Sequence, residues 1–155
     1  MIQIYIDGAS RGNPGLSSCA YVILQNRQVI HEESFFLGLT TNNQAEYSGL
    51  LMALLYAIIH HFNEVQVLSD SELLVKQLNG YYRVKSTNLV PYFECYLSMK
   101  PRFHHFLIEH IRREKNTRAD FLCNQKLNLI TEKDTEREAS LDQIRELFKR
   151  SIREP

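Results

Sequence analysis

The chain has 155 residues, 44% apolar and 23% charged, which suits one globular domain with a buried core and excludes a collagenous or disordered chain. No apolar run is long and charge-free enough to span a bilayer, since the most apolar stretch, Leu50 to Ile59, runs straight into His60 and His61. Net charge is zero but uneven: residues 1–80 carry three Lys/Arg against seven Asp/Glu, and residues 81–130 carry nine against four, so carboxylates can sit beside the cationic rim that a phosphate backbone requires.

In chain order, Ile2, Ile4 and Ile6 alternate like a strand rather than a signal peptide, which points to a cytoplasmic protein. Asp7 is expected to end that strand, before a Gly-, Asn- and Pro-rich loop from Gly8 to Gly15. Two strands follow, Ala20 to Gln25 and Gln28 to Leu37, with Asn26-Arg27 as the hairpin turn. Thr41-Asn42-Asn43 offers N-caps for a helix running to about His61. Val65 to Leu68 is a short strand, Asp70-Ser71-Glu72 starts a helix stopped by Gly80, and Val90 to Met99 reads as another helix. Phe106 to Ile111 makes a fifth strand, and Asn116-Thr117 opens a helix to about Ile130. The order predicts an α/β fold: a five-stranded mixed sheet, its later strands parallel to the first, flanked by helices on both faces.

The domain is expected to span residues 1–130. Residues 131–155 read as a polar linker, dense in charge from Thr131 to Ser140, and an amphipathic helix with Leu141, Ile144, Leu147, Phe148 and Ile152 at helical spacing. That stripe must be covered, by the domain itself, a second copy or another protein. Cys19, Cys95 and Cys123 are widely spaced with no C-x-x-C pair, which argues against a disulfide framework or a structural zinc site.

Four acids stand at element ends: Asp7 after the first strand, Glu46 in the opening turn of the long helix, Asp70 after the fourth strand, and Asp120 in the first turn of the last helix. Each alone reads as a cap, a turn former or a dipole partner. Gathered together they would repel one another unless a cation neutralised them, and all-oxygen ligation selects a hard ion such as Mg²⁺ or Mn²⁺.

Their local sequences add more. Tyr5-Ile6-Asp7-Gly8-Ala9-Ser10-Arg11-Gly12-Asn13-Pro14-Gly15, Thr40-Thr41-Asn42-Asn43-Gln44-Ala45-Glu46-Tyr47, Ser69-Asp70-Ser71 and Asn116-Thr117-Arg118-Ala119-Asp120-Phe121-Leu122-Cys123-Asn124 resemble, in order and spacing, the four motifs of the type 1 ribonuclease H family. The resemblance implies a ribonuclease H-like fold and an endonuclease that cuts the RNA strand of RNA–DNA hybrids, leaving 5′-phosphate and 3′-hydroxyl ends. It implies Asp7, Glu46, Asp70 and Asp120 as catalytic ligands of two Mg²⁺ ions, with Mn²⁺ able to substitute. It implies that Glu46 accepts a hydrogen bond from a ribose 2′-hydroxyl, that Asn13, Asn42 and Asn43 line the minor groove, and that Thr41 and Ser71 hold a phosphate of the DNA strand.

The chain departs from the family pattern twice. Many relatives carry a histidine in the loop before the last aspartate; the short stretch from His110 to Asn116 offers none in place, and Arg113 is the candidate substitute, ahead of Arg112 and Lys115, while His110 is expected only to end a strand. The chain also lacks tryptophan and the basic protrusion of some relatives, leaving Tyr81 and Tyr82 with Arg83 and Lys85 to stack and to contact phosphate. A nuclease of the same fold acting on DNA, or a binding module without catalysis, are the alternatives; the asparagines argue against the first and the four acids against the second.

Overall fold

The computed structural model describes residues 1–130 and 139–153. Five strands, β1 (Ile2–Gly12), β2 (Gly15–Gln25), β3 (Gln28–Thr40), β4 (Glu64–Ser69) and β5 (His105–His110), form one sheet in the order β3-β2-β1-β4-β5. β1, β2 and β3 are an antiparallel meander, and β4 and β5 join parallel to β1. Asn26 and Arg27 both take positive φ (52° and 65°), as a two-residue hairpin of matching twist requires.

The first strand is longer than expected. Asp7 does not end it: β1 runs on to Gly12, paired with β2 as far as Gly12↔Gly15, so the anticipated Gly8–Gly15 loop shrinks to the Asn13-Pro14 turn. Ser10, Arg11 and Gly12 are too polar to mark a buried strand, and cross-strand hydrogen bonds alone keep them extended. β2 likewise starts at Gly15 and β3 continues to Thr40.

Helix α1 (Asn42–Ile59) begins with a reciprocal cap: the Gln44 amide donates to Thr41 Oγ1 at 3.2 Å, and the Thr41 amide donates to Gln44 Oε1 at 2.9 Å. Its Leu50, Leu51 and Leu54 share a core with Ile2, Ile4, Ile6, Val65 and Val67. The connection from β4 to β5 carries α2 (Glu72–Leu78) and α3 (Val90–Met99). On the opposite face, α4 (Thr117–Asn128) packs Ala119, Leu122 and Cys123 against Ala20 and Val22. Helices therefore flank both faces of the mixed sheet.

Helix α5 (Leu141–Arg153) lies against α1 and α3. Ile144 is 1% exposed and Phe148 7%, and both join the main core. This explains why α1 is apolar around so much of its circumference: the sheet takes one side and α5 another. Ser140 and Gln143 cap α5 reciprocally, and the Ala139 amide donates to the Phe36 carbonyl on the outer edge of β3 at 2.9 Å. Most of the linker expected from Thr131 to Ser140 lies outside the described residues. Among the described residues, no helix is long and apolar enough to cross a membrane.

Candidate active site

The register of the parallel strands starts the site. β1 and β4 pair from Ile2↔Val65 to Ile6↔Ser69, so Asp7 and Asp70 are the next residues along the two neighbouring strands, just beyond the last pair. α1 brings in Glu46. It can do so because Gly8 has no side chain: a Cβ there would overlap the backbone of Ala45 and Glu46. Gly49 makes the second close approach, with its Cβ position 2.8 Å from the Asp7 carbonyl oxygen. With Thr41 as N-cap, Glu46 stands in the second turn of α1, not the opening turn expected, and no acidic residue occupies the first. That removes the dipole-pairing explanation for this acid. Asp120 does lie in the first turn of α4.

Carboxylate oxygens of Asp7, Glu46 and Asp70 all lie within 4.8 Å of one another. Asp120 joins them in lining a cleft of about 480 Å³, near enough for its charge to act on the Asp7 carboxyl. Asp7 is only 4% exposed. Burial, then the charges of Asp70 and Asp120, push its pKa up to about 8 from an ordinary 3.8. Burial, then Asp7 and Asp70, hold Glu46 well above the glutamate range, and its Oε2 is buried with no hydrogen-bond partner. Asp70 is raised less, mainly by burial, because the Asn116 side chain and the Arg113 charge favour its ionised form. Three crowded carboxylates, one with an orphaned oxygen, form a site short of positive charge.

The other expected residues divide between two places. Arg113, in the turn Arg113–Lys115, lines the acid cleft together with Asn42, Asn43 and Ser71. Asn13 and Thr41 lie instead in an adjoining pocket of about 310 Å³, which shares Asn43 and includes Gln77, Arg83 and Lys85. The Ser71 hydroxyl accepts from the Leu74 amide at 3.2 Å and caps α2. Asn13 Oδ1 accepts from the Asn42 amide at 3.1 Å, which ties the hairpin tip to the start of α1. Tyr81, 78% exposed, lines neither pocket. Tyr82 is engaged by Lys76, whose Nζ sits 4.9 Å from its ring centroid.

Three neighbours of the site were not legible in the sequence. His110 ends β5 as expected, but its Nε2 also lies 3.3 Å from the Asp70 carbonyl oxygen. Arg11, on the extended arm of β1, lines the acid cleft and hydrogen-bonds the Asn128 side chain. Asn116 is 1% exposed, and its Nδ2 donates to the Ile6 carbonyl, 110 residues earlier, at 2.8 Å. The only sequence signal for these was position within or beside a motif; their contacts span the whole fold.

The family described as reverse transcriptase-like matches residues 5–126. Ribonuclease HI of Halobacterium salinarum is 34% identical over 128 residues, covering 82% of this chain but 64% of that protein. The putative hydrolase EbsB of Enterococcus faecalis is 37% identical over 131 residues, 82% of this chain and 94% of the relative. Among solved structures, LC11-RNase H1 in complex with RNA/DNA hybrid superposes with a TM-score of 0.76 at 40% identity, covering 81% of this chain and 95% of that one.

Proposed function

Since this chain belongs to the type 1 ribonuclease H family, we propose that it is an endonuclease that hydrolyses the RNA strand of RNA–DNA hybrids with two divalent ions, leaving 5′-phosphate and 3′-hydroxyl ends. The observation that carries this reading is the convergence of Asp7, Glu46 and Asp70 within 4.8 Å, with Asp120 lining the same cleft. The residues fit hard cations: every donor is a carboxylate oxygen, Glu46 keeps a buried oxygen without a partner, and burial beside the charges of Asp70 and Asp120 raises Asp7 far above the aspartate range. Mg²⁺ is the expected metal and Mn²⁺ its substitute. Activation of the attacking water and neutralisation of charge on the departing 3′ oxygen are the chemistry supplied with the ions bound.

The chain's own groups do the rest. Asp7, Glu46, Asp70 and Asp120 act as ligands, and Glu46 also accepts from a ribose 2′-hydroxyl, the group that separates RNA from DNA. Asn42 and Asn43 at the mouth of the acid cleft, and Asn13 beside it, read the minor groove of the hybrid. Thr41, with Arg83 and Lys85 in the same pocket, seats a phosphate of the DNA strand. Ser71 contributes by capping α2 at the cleft wall, and Tyr81 is free to stack on a base or sugar. Arg113 helps deliver water or release the phosphate product. The C-terminal helix serves its own domain, covering α1, rather than a second copy; residues 1–130 carry the chemistry. Three unpaired, buried thiols suit a reducing compartment such as the cytoplasm.

A labelled RNA–DNA hybrid incubated with Mg²⁺, Mn²⁺ or EDTA tests the reading. Internal cuts in the RNA strand are expected with either metal and none with EDTA, while DNA duplex stays intact. Cutting of DNA duplex at a comparable rate, or binding of hybrid without cleavage in both metals, would refute it.

A further inference from the structure

An asparagine at the start of a helix ordinarily spends its Oδ1 on an amide of the first turn. Asn116 flanks the start of α4 yet makes no such cap. Its side chain turns back toward the sheet, where Nδ2 donates to the Ile6 carbonyl at 2.8 Å. The Oδ1 is left buried with no partner. The opposite amide orientation would set that oxygen against the Ile6 carbonyl, so this acceptor fixes which way the group points. The Asn116 backbone takes part as well, its carbonyl accepting from the Asp120 amide at 3.1 Å.

We propose that Asn116 is the positioning residue of this site: its side-chain amide holds the β1 backbone immediately before Asp7, and its carbonyl anchors the turn that carries Asp120. One buried residue thus links the placement of two of the four acids, at the expense of a helix cap and one hydrogen bond. Mutually repelling carboxylates spread apart unless the backbone that carries them is held. Asn116 supplies that hold through a neutral amide, which leaves uncancelled the charge that a cation needs and also favours the ionised form of Asp70. Groups that orient metal ligands in this manner matter to both affinity and turnover.

The inference rests on the reading that these acids hold divalent ions, and its test separates the two. Asn116→Ala removes the side-chain donor; Asn116→Ser leaves a shorter hydroxyl donor. Mn²⁺ is titrated calorimetrically into wild type and both variants, alongside thermal melts in EDTA and steady-state cleavage of hybrid. With Asn116→Ala folded, the Mn²⁺ Kd should rise about tenfold or more and kcat should fall by a similar factor. KM for hybrid should stay within about twofold, because Asn116 is too buried to touch substrate. Asn116→Ser should lie between the two. A folded variant with a lower Tm but wild-type Mn²⁺ Kd and kcat would overturn the proposal, since a merely structural role gives that pattern. If Asn116→Ala fails to fold, Asn116→Ser decides, and a wild-type Kd in it overturns the proposal equally. Should wild type bind Mn²⁺ but not cut hybrid, the functional reading falls, and a weakened Kd in the variants would still support positioning.

Discussion

Replacing Asp7 by Asn should stabilise the metal-free protein while abolishing hydrolysis. Asp7 is buried among like charges, and its proton affinity rises from an ordinary 3.8 to about 8, burial being the larger cause and Asp70 and Asp120 the next. For an acid whose folded pKa is raised, the stabilising state is the protonated one: its contribution is fully present below 3.8 and is lost as pH rises toward and through 8. At pH 7 the unfolded chain has released this proton and the folded chain largely retains it. The difference is about 1.4 kcal/mol for each pH unit above the unfolded value, or roughly 4 kcal/mol. Asn keeps the shape without the ionisation, but Asp70, Glu46 and Asp120 still repel one another, so a gain of about 2–4 kcal/mol is expected. For a chain of this length that raises Tm by roughly 5–12 °C. The assay is a thermal melt in EDTA at pH 7.5 and pH 5, repeated with Mg²⁺. The advantage of the variant should shrink by more than half at pH 5, where less of the ionisation cost remains. Mg²⁺ should raise the Tm of wild type more than that of the variant. A variant no more stable than wild type at pH 7.5, or one whose advantage grows toward pH 5, would refute burial of an uncompensated charge. Full hydrolytic activity would refute the role of Asp7 as a ligand.

Gly8→Ala should destabilise by about 3 kcal/mol or more, because its Cβ would enter the Ala45–Glu46 backbone and push α1 off β1; a chemical denaturation midpoint equal to wild type would contradict this. Ile144→Ala should cost about 2–5 kcal/mol in the same measurement yet leave kcat on hybrid unchanged, since the residue is buried in the main core and does not line the acid cleft or the pocket beside it. A wild-type midpoint would mean that α5 does not hold this position in solution. Arg113→Ala should slow turnover by no more than about tenfold, a barrier change of about 1.4 kcal/mol, with metal dependence retained. A loss as large as that of Asp7→Asn would assign Arg113 a more direct part.

What the sequence by itself determined is local. Hydrophobic alternation in Ile2-Gln3-Ile4-Tyr5-Ile6, the N-cap candidates Thr41-Asn42-Asn43 before α1 and the Asn26-Arg27 turn are each decided within a few residues, and they held in the fold, with Thr41 as the cap. The four acids were legible because their motifs are contiguous stretches. The tertiary structure decided what depends on partners distant along the chain. Ser10, Arg11 and Gly12 are extended only because β2 pairs with them, so no periodicity could announce the arm. Gly8 reads as a turn former, but what it provides is room for a helix that starts more than thirty residues later. Asn116 reads as the opening of a helix; the Ile6 carbonyl, 110 residues earlier on β1, turns its amide away from the cap. Local propensity acts through the nearest few residues, whereas the charge environment of a carboxylate and the choice among hydrogen-bond partners are set by whatever the packed fold brings within a few ångströms.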